Sequence, residues 1–383
     1  VERFLKAWFD YSERRMVQAI RVLPSGEFVA TTMHDPFPGA PDGIPLSIKI
    51  RCDSKEGLLE LDLRDNPDCI PAGINSSETT ARAAALTGVL NTIDPSVPHN
   101  AGSFRRVTVL LRENCVAGIP RFPASCSLAT TDITDRIINM TQAAFAEHCP
   151  GWGLAEGPTG IPPGHSVIYG NDPRRGSAPY ITQLLIDTAG GPASPVGDGW
   201  LSYVLPCTGG VLYRDSVEVI EQKYPICVHE SMVWPDAEGA GQYRGGPGAM
   251  CSYGPIAGQM ELSYSIDGMV TPAQGVCGGL SARSAAVFLI RHSGELEKLS
   301  EPVKRVVLMP GERIGVRTAG GGGYGPPSQR DSSAVLKDVR DGYVTIGRAQ
   351  DVYGVSIAGD PDKPETLTVM QADGQIRRLL APR

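Results

Sequence analysis

The chain has 383 residues, of which 41% are hydrophobic and 20% charged, a composition typical of a soluble globular protein with a sizeable core. Its 42 acidic and 35 basic side chains give a net charge of −7, which argues against the basic surface that nucleic-acid binding requires. No apolar run approaches the ~18 residues of a membrane-spanning helix, and 45 glycines with 32 prolines favour a turn-rich fold.

The N-terminus and the cysteines bear on the cellular compartment of the protein. The opening "VERFLKAWFDYSERRM" mixes apolar and charged residues without a cleavage site, so it does not indicate a signal peptide. It lacks an initiator methionine, and we expect a fragment, a processed product or a truncated reading frame. Nine cysteines without a C-x-x-C pair predict reduced thiols in a cytoplasmic protein rather than a disulfide framework or zinc knuckle.

Residues 1–150 are predicted as a mixed α+β region. Alternating apolar and polar residues predict four strands, at 28–33, 46–52, 58–63 and 105–111. Apolar residues at helical spacing predict three helices, over 2–19, 75–92 and 131–149. At the start of the second helix, Asn75 and Glu78 have the spacing of a capping box.

The rest of the chain is predicted in three parts. Residues 151–182 are rich in glycine and proline and predict a long ordered loop or domain joint. Residues 183–327 predict a β-rich region resembling a sandwich or barrel, and 328–383 predict an extension of short helices and a strand. The expected fold class is therefore α+β, with a mixed N-terminal α/β region followed by the β-rich region.

Two glycine-rich segments call for comparison with nucleotide-binding loops. In "RTAGGGGYGPP" (317–327), no lysine follows the four glycines, no hydroxyl stands at the right offset, and two prolines stand where a helix would begin. A phosphate-binding loop needs both groups, so the sequence argues against a nucleotide site here. "GAGQYRGG" (239–246) begins like a dinucleotide-binding motif, but Arg244 replaces its third glycine and no buried strand precedes it.

Carboxylates are the remaining candidates for chemistry. Asp132 and Asp135 lie at the start of a predicted helix, where N-capping and dipole interactions explain them better than catalysis does. Glu218 and Glu221 lie three residues apart on a predicted strand, so one of them would face inward and need a partner such as Arg244 or Lys223. We expect this pairing to be structural, since ion-pair networks resemble functional carboxylates.

A series of motifs, taken together, resembles the hydantoinase B/oxoprolinase family over nearly the whole chain. The motifs are "FDYSERRM" (9–16), "INSSETTARAA" (74–84), "PHNAGSFRRVTV" (98–109), "PRFPASCS" (120–127), "GGPASPVGDGW" (190–200), "VEVIEQKYPICV" (217–228), "PDAEGAGQYRGGPG" (235–248), "TAGGGGYGPP" (318–327) and "VLKDVRDGYVTIGRAQDVYGV" (335–355). "LDLRDNPDC" (61–69) departs from the family's usual Asp-Phe-Ser-Gly-Thr and is expected to mark altered substrate contacts.

The resemblance implies a B-type subunit of an ATP-dependent complex that opens cyclic amides such as 5-oxoproline or hydantoins. It places ATP on an A-type, actin-like partner subunit, and it implies a divalent metal. The family's metal ligands lie in a longer N-terminal half to which nothing here corresponds, so no metal ligand is assigned. Two alternatives stay open: a subunit of a ketone carboxylase acting on acetone or acetophenone, and a structural subunit without chemistry.

The resemblance identifies no catalytic residue. We expect Asp236 and Arg244 to orient the substrate or the partner, and Glu218 to anchor the loop that carries them. The glycine run is expected to form a turn at a ligand channel or subunit contact. The glycines assigned to family loops are Gly239, Gly241, Gly245, Gly246, Gly320, Gly321, Gly322, Gly323 and Gly325.

Overall fold

The computed structural model describes residues 1–128, 130–210 and 213–370. Within this part the helices are α1 (Glu2–Arg21), α2 (Glu78–Leu90), α3 (Ala101–Phe104), α4 (Ile133–His148), α5 (Val217–Lys223), α6 (Ser332–Arg340) and α7 (Ile346–Asp351). The strands are β1 (Gly26–His34), β2 (Ile44–Asp53), β3 (Leu58–Asp62), β4 (Val107–Leu110), β5 (Gly160–Ile161), β6 (Val167–Asp172), β7 (Ala178–Gln183), β8 (Ile226–Val233), β9 (Ala249–Pro255), β10 (Met260–Ile266), β11 (Ala286–Ile290), β12 (Leu296–Leu299), β13 (Val303–Leu308), β14 (Arg313–Arg317), β15 (Ile357–Ala358) and β16 (Thr368–Val369). Helices and sheets are thus mixed, and the predicted α+β class is confirmed.

The first sheet has the order β1-β2-β3-β4, antiparallel except for the parallel pair β3 and β4. Alternate residues of β2 from Ile44 to Ile50 point to one buried face, as the period of a strand requires. Helix α4 packs on this sheet and α2 packs on α4. The four predicted strands and three predicted helices of this region are all present.

The N-terminal helix differs from its predicted packing. The apolar residues at helical spacing in α1, from Phe4 to Ile20, were expected to form one face, but only the later ones, including Met16 and Ile20, are buried. Phe4 is 70% exposed, and Trp8 and Tyr11 stack on each other at the surface. Helical periodicity identifies a common face, but it does not show how far the body of the protein extends along that face.

The start of α2 also differs from its prediction. Ser77, not Asn75, is the N-cap, and its hydroxyl accepts a hydrogen bond from the amide of Thr80. Asn75 lies outside the helix, where its buried amide bonds the main chain of Ile70 in both directions. Because Asn, Ser and Thr are all good caps, a run such as "NSSETT" does not identify the capping residue by composition alone.

The β-rich region contains two five-stranded antiparallel sheets. One has the order β13-β10-β6-β7, with β5 paired to β10, and the other has the order β12-β11-β14-β9-β8. Both contribute to one hydrophobic core, for example Leu262 and Val306 from the first sheet with Val287 and Val316 from the second. The sheets stay open, so the sandwich alternative is correct and the closed barrel is not.

Two predicted segments have a different structure. Residues 151–182, expected as a loop or joint, contain β5, β6 and most of β7. The predicted strand around Glu218 is instead helix α5, which begins after the Ser216 N-cap. A short segment with β-branched residues such as Val217 and Val219 can form either a helix or a strand. Here the Ser216 N-cap stabilises the helix.

The C-terminal extension is a small helical unit followed by two short paired strands. Helices α6 and α7 bury Val335, Leu336 and Ala349 with Tyr353 in a separate hydrophobic cluster. Residues 371–383 of the predicted extension lie outside the described residues, and the proposed division into four regions stays a prediction. No helix in the described part of the chain has the length and apolar character needed to cross a membrane.

Candidate functional site

Three glycine-rich segments come together in the structure and pack main chain against main chain. We call this arrangement the glycine layer, formed by residues 190–199, 239–248 and 320–323. The amide of Gly239 donates to Gly321 O (2.8 Å), that of Gly321 to Gly246 O (3.0 Å), and that of Gly246 to Gly191 O (2.8 Å). The segments therefore bond to each other directly, outside any regular sheet.

The close packing explains why glycine occupies these positions. A Cβ atom on Gly245 would overlap the carbonyl oxygen of Gly321, and one on Gly190 would overlap that of Gly246. Residues 320–323 are buried in this layer and form no turn, so the predicted turn is wrong. Only Gly325, at the end of the run, has a positive φ (72°). Glycine is needed here because it allows backbones to approach closely. The local sequence does not reveal this need, because the approaching segments are distant in the chain.

A cavity of about 280 Å³ opens beside the glycine layer. Asn91 at the end of α2 and Leu154 after α4 form one side, and the segment 192–209 forms the other. The remaining lining residues are Pro192, Ser194, Asp198, Trp200, Tyr203 and Gly209. Two aromatic rings and one carboxylate in a concave surface of this size suit a small organic molecule, at the lower end of the usual ~300–1,000 Å³.

The carboxylate of Asp198 is held in place from behind the cavity wall. Arg330 donates to both of its oxygens, from Nη1 to Oδ1 (2.6 Å) and from Nη2 to Oδ2 (2.8 Å), and the amide of Arg244 donates to Oδ1 (2.9 Å). Burial alone would raise the pKa of Asp198, but the hydrogen bonds and charge of Arg330 hold it below its usual value. Asp198 is therefore a fixed negative charge and hydrogen-bond acceptor at the cavity.

Arg244 has a buried position next to the cavity but does not line it. Its Nε donates to Asp338 Oδ1 (2.8 Å), and its guanidinium lies over the ring of Tyr343, 5.0 Å from the centroid. Asp338 also accepts from Arg330, so the two arginines and two aspartates form one network that joins α6 to the glycine layer. The structure thus connects Arg244 to the site through Asp198.

Asp236 and Glu218 lie away from the cavity. Asp236 has a positive φ (61°) and accepts from the amide (2.7 Å) and hydroxyl (2.9 Å) of Thr345, the N-cap of α7. Glu218 is exposed on α5, where the hydroxyl of Ser216 donates to it. Among the described residues no hydrogen bond or ion pair joins Glu218 to the glycine-rich loop, and its anchoring role stays a prediction.

Helix α4 lies directly behind the cavity and carries buried polar side chains. Asn139 exchanges two hydrogen bonds with the main chain of Gly157, and the amide of Leu154 donates to the carbonyl oxygen of Gln142. Asp135 accepts from the amide of Cys207, near the lining residue Gly209. Burial raises the pKa of Asp135 to about 8, so it can hold a proton at neutral pH.

A second cluster of charges joins α4 to the first and second sheets. We call His34, Asp132, Arg136 and Asp267 the ion cluster. Arg136 donates to both oxygens of Asp267, from Nε (2.6 Å) and Nη2 (2.8 Å), and His34 Nε2 lies 3.4 Å from Asp132 Oδ1 and 3.7 Å from Asp267 Oδ2. All four side chains are 0–1% exposed.

The charges of this cluster compensate one another. Burial alone would lower the pKa of His34, but Asp267 and Asp132 raise it to about 9, so the ring is protonated at neutral pH. Burial alone would raise the pKa of Asp267, but Arg136 and His34 hold it well below its usual range. Asp132 stands at the N-cap position of α4 without making a cap hydrogen bond, so the predicted capping role is wrong.

The metal that the family resemblance implies does not fit the residues present. In residues 1–128, 130–210 and 213–370, no group of three or more His, Cys, Asp or Glu side chains is arranged to hold a metal ion. The ion cluster comes nearest, but the guanidinium of Arg136 already neutralises its carboxylates. We therefore assign no metal-dependent step to this part of the protein.

The residues at the cavity differ from those that sequence reasoning selected. Trp200, Tyr203 and Asp198 lie within or beside "GGPASPVGDGW", a motif that the sequence analysis quoted but for which it named no individual residue. Two aromatic residues and an acidic residue in a glycine-rich segment are the sequence pattern that could have indicated a binding site. Asp135 was interpreted as a helix-start residue, and Gln142 gave no signal, because a polar residue in an amphipathic helix is normally expected on its wet face.

Comparisons with known proteins agree on one family. The model of the hydantoinase B/oxoprolinase family matches residues 1–327. The beta subunit of caprolactamase from Pseudomonas jessenii is 29% identical over 370 residues, covering 94% of this chain and 61% of that protein. The delta subunit of acetophenone carboxylase from Aromatoleum aromaticum is 24% identical over 400 residues, covering 94% and 58%. The chain thus spans about three fifths of the length of these relatives.

A solved structure gives the same result for the fold. The crystal structure of the ATP-dependent caprolactamase from Pseudomonas jessenii superposes with a TM-score of 0.82 at 23% identity, covering 95% of this chain and 63% of that one. The family match extends over most of the sequence, including the glycine layer and every residue that lines the cavity. The chain belongs to the hydantoinase B/oxoprolinase family.

Proposed function

We propose that the chain is part of a B-type subunit that hydrolyses a cyclic amide within an ATP-dependent complex. ATP is consumed by an A-type partner subunit, and phosphorylation of the amide oxygen makes the ring a better electrophile for water. The observation that carries this proposal is the similarity to the caprolactamase beta subunit along 94% of the chain. The ring size of the substrate, whether 5-oxoproline, a hydantoin or a lactam, is left to experiment.

The cavity beside the glycine layer is our candidate for the site that holds the cyclic substrate. Its volume suits a small ring, and Trp200 and Tyr203 offer flat apolar surfaces against which a ring packs. Asp198, kept ionised by Arg330, offers an acceptor to the amide N–H. Asp135 behind the wall is a reserve of one proton near neutral pH, although its carboxyl is fully buried in this conformation.

The proposal is tested with the intact complex that contains this subunit. We expect release of inorganic phosphate from ATP to depend on 5-oxoproline, a hydantoin or a lactam, with ring-opened product formed in equal amount. Replacing Trp200 by alanine removes one wall of the cavity, so kcat/KM should fall by roughly tenfold or more. Trp8→Ala removes an exposed indole on α1 and serves as the matched control.

A second candidate function is ATP-dependent carboxylation of a ketone, favoured by the similarity to the acetophenone carboxylase delta subunit. If phosphate release requires both bicarbonate and acetone or acetophenone, and cyclic amides do not stimulate it, the function is ketone carboxylation and not cyclic amide hydrolysis. A complex that responds to neither substrate class would support the structural-subunit alternative. Normal turnover in the Trp200→Ala complex would show that the cavity is not the substrate site, while the proposed activity of the complex would stand.

A further inference from the structure

The sheet β12-β11-β14-β9-β8 has exposed side chains on its two edge strands and at the end of β14, whereas most of β9 is buried. Along β11 and β14, alternate residues such as Val287 and Val316 point into the core, and their neighbours point outward. Exposed apolar residues continue to both edge strands, where Leu296 of β12 is 62% exposed and Met232 of β8 is 53% exposed.

Four side chains on and beside this face form a continuous stack, which we call the arginine–aromatic ladder: Arg283, Trp234, Arg317 and Phe288. The guanidinium carbon of Arg283 lies 5.1 Å from the centroid of the Trp234 ring. That of Arg317 lies 5.6 Å from Trp234 and 5.3 Å from Phe288. Cation–π contacts at these distances hold the guanidinium groups in a defined arrangement before any partner binds.

The arginines of the ladder have no acidic partner. Within the part of the chain that the structure describes, neither Arg283 nor Arg317 has a carboxylate oxygen within 4.0 Å, and Arg313, further along β14, has none either. Other exposed arginines in this region are paired, for example Arg291 with Glu297 and Glu312.

Among the described residues, exposed arginines such as Arg3 and Arg14 also lack a carboxylate partner. Arg283 and Arg317 differ from them in being held over aromatic rings. Carboxylates are plentiful, yet three neighbouring guanidinium groups on one face lack them. Water solvates these partly exposed groups in the free subunit, and the carboxylates of a partner protein can replace that water. The combination of arginine, methionine, tryptophan and phenylalanine on one surface is the composition enriched at protein–protein interfaces. A carboxylate-bearing protein surface satisfies both the charge and the apolar area.

We infer that the arginine–aromatic ladder, with Arg313, is the docking surface for a carboxylate-rich segment of the A-type partner subunit. The inference rests on the proposed function, since it takes its partner from there. Carboxylates of the partner bind between the guanidinium groups of Arg283 and Arg317, and its apolar side chains pack on Phe288 and Met232. Such an interface associates faster and more tightly at low salt than at high salt.

The test is assembly of the subunit with its A-type partner after co-expression of both full-length chains. We expect the R283E/R317E double variant to raise the dissociation constant by roughly tenfold or more at low salt, with a smaller difference at high salt. R283Q/R317Q removes charge without reversing it and should give an intermediate value. R3E/R14E reverses two exposed arginines on α1 and is the matched control, which should bind as the wild-type protein does.

The outcomes separate this inference from the function on which it rests. If the wild-type subunit binds no A-type partner, both fail. If the wild-type protein and R283E/R317E bind the partner equally well, only the docking surface is wrong, and the ATP-dependent complex stands. Near-ultraviolet circular dichroism of each variant checks that the sheet is intact. Loss of binding by a variant with a native spectrum supports the docking surface. If R283E/R317E has an altered spectrum, the R283Q/R317Q variant decides instead.

Discussion

The packed glycines of the glycine layer and the side chains of the ion cluster are both buried, yet they fill the interior in opposite ways. Where the glycines of the layer meet, main chains approach until their amides and carbonyls bond each other, with no side chain between them. In the ion cluster, long charged side chains reach across three elements and neutralise each other. Close backbones satisfy polar groups without any net charge, whereas the ion cluster depends on every member keeping its charge.

This difference predicts different sensitivities. The glycine layer should be indifferent to pH but intolerant of any added atom. The ion cluster should respond to protonation, because its members neutralise one another only while each keeps its charge. Three experiments address the comparison, in order of decreasing expected effect.

The largest effect is expected from Gly321→Ala in the glycine layer. The new Cβ would overlap the carbonyl oxygen of Gly191, a backbone atom that cannot move without displacing the neighbouring segment. We expect loss of more than about 4 kcal/mol of stability, measured as failure to fold or a large fall in the unfolding midpoint.

The matched control is Gly347→Ala, in helix α7. Its Cβ would meet only Thr345 Oγ1, at 3.9 Å, and its φ is not positive. Because alanine favours a helix over glycine, this variant should gain roughly 0.5–1 kcal/mol. Equal stability of both variants would show that the layer can separate, which contradicts backbone packing as the reason for its glycines.

A smaller effect is expected from the pH dependence of the ion cluster. The pKa of His34 is raised from its ordinary 6.5 to about 9 in the folded protein, so its contribution is complete below pH 6.5 and lost as the pH rises through 9. By linkage the loss amounts to at most about 3 kcal/mol. Chemical unfolding at several pH values should show this decline in the wild-type protein.

His34→Gln removes the titrating group, so its stability should lie below that of the wild-type protein near pH 6, and the gap should narrow above pH 9. His99→Gln, at an exposed histidine, should keep the wild-type slope. A slope that survives the His34 substitution would mean that other groups cause it, and the neutralisation described for Asp132 and Asp267 would need revision.

The smallest effect is expected from Gln142, whose side-chain amide has, within the described part of the chain, neither the hydrogen bonds of the glycine layer nor the opposite charges of the ion cluster. Its side-chain oxygen and nitrogen are buried and have no hydrogen-bond partner among the described residues. Gln142→Leu replaces this amide by an apolar group of similar size, so we expect a gain of about 1–2 kcal/mol in the free energy of unfolding. Lower stability instead would show that the amide is bonded in solution, for example by a molecule bound in the nearby cavity.

Local signals account for the parts of the fold that the sequence predicted correctly. Alternation in "LSIKIRC" and helical spacing in "TDITDRIINMTQAAFAEHC" each depend on neighbours within one element, and β2 and α4 appear where expected. The errors have physical causes. The segment around Glu218 formed a helix because a serine cap outweighed its β-branched residues, and α1 left half of its apolar face uncovered.

The candidate site was harder to predict because its parts are distant in sequence. His34 and Asp267 are neighbours in space but 233 positions apart in the chain, and no local pattern links them. The glycine run at 320–323 looked like a turn because the partners that require glycine lie in two other segments. Asp236 and Arg244 were selected for their motif, and their roles as substrate or partner contacts stay predictions.

The bond between Arg330 and Asp198 has a practical consequence for work on this protein. The family match ends at residue 327, and Arg330 and Asp338 follow it. A protein shortened to the matched region would keep every residue that lines the cavity but lose the two groups that hold Asp198 and Arg244. Expression boundaries drawn from homology alone would thus release one wall of the cavity, so α6 should be retained in any shortened version.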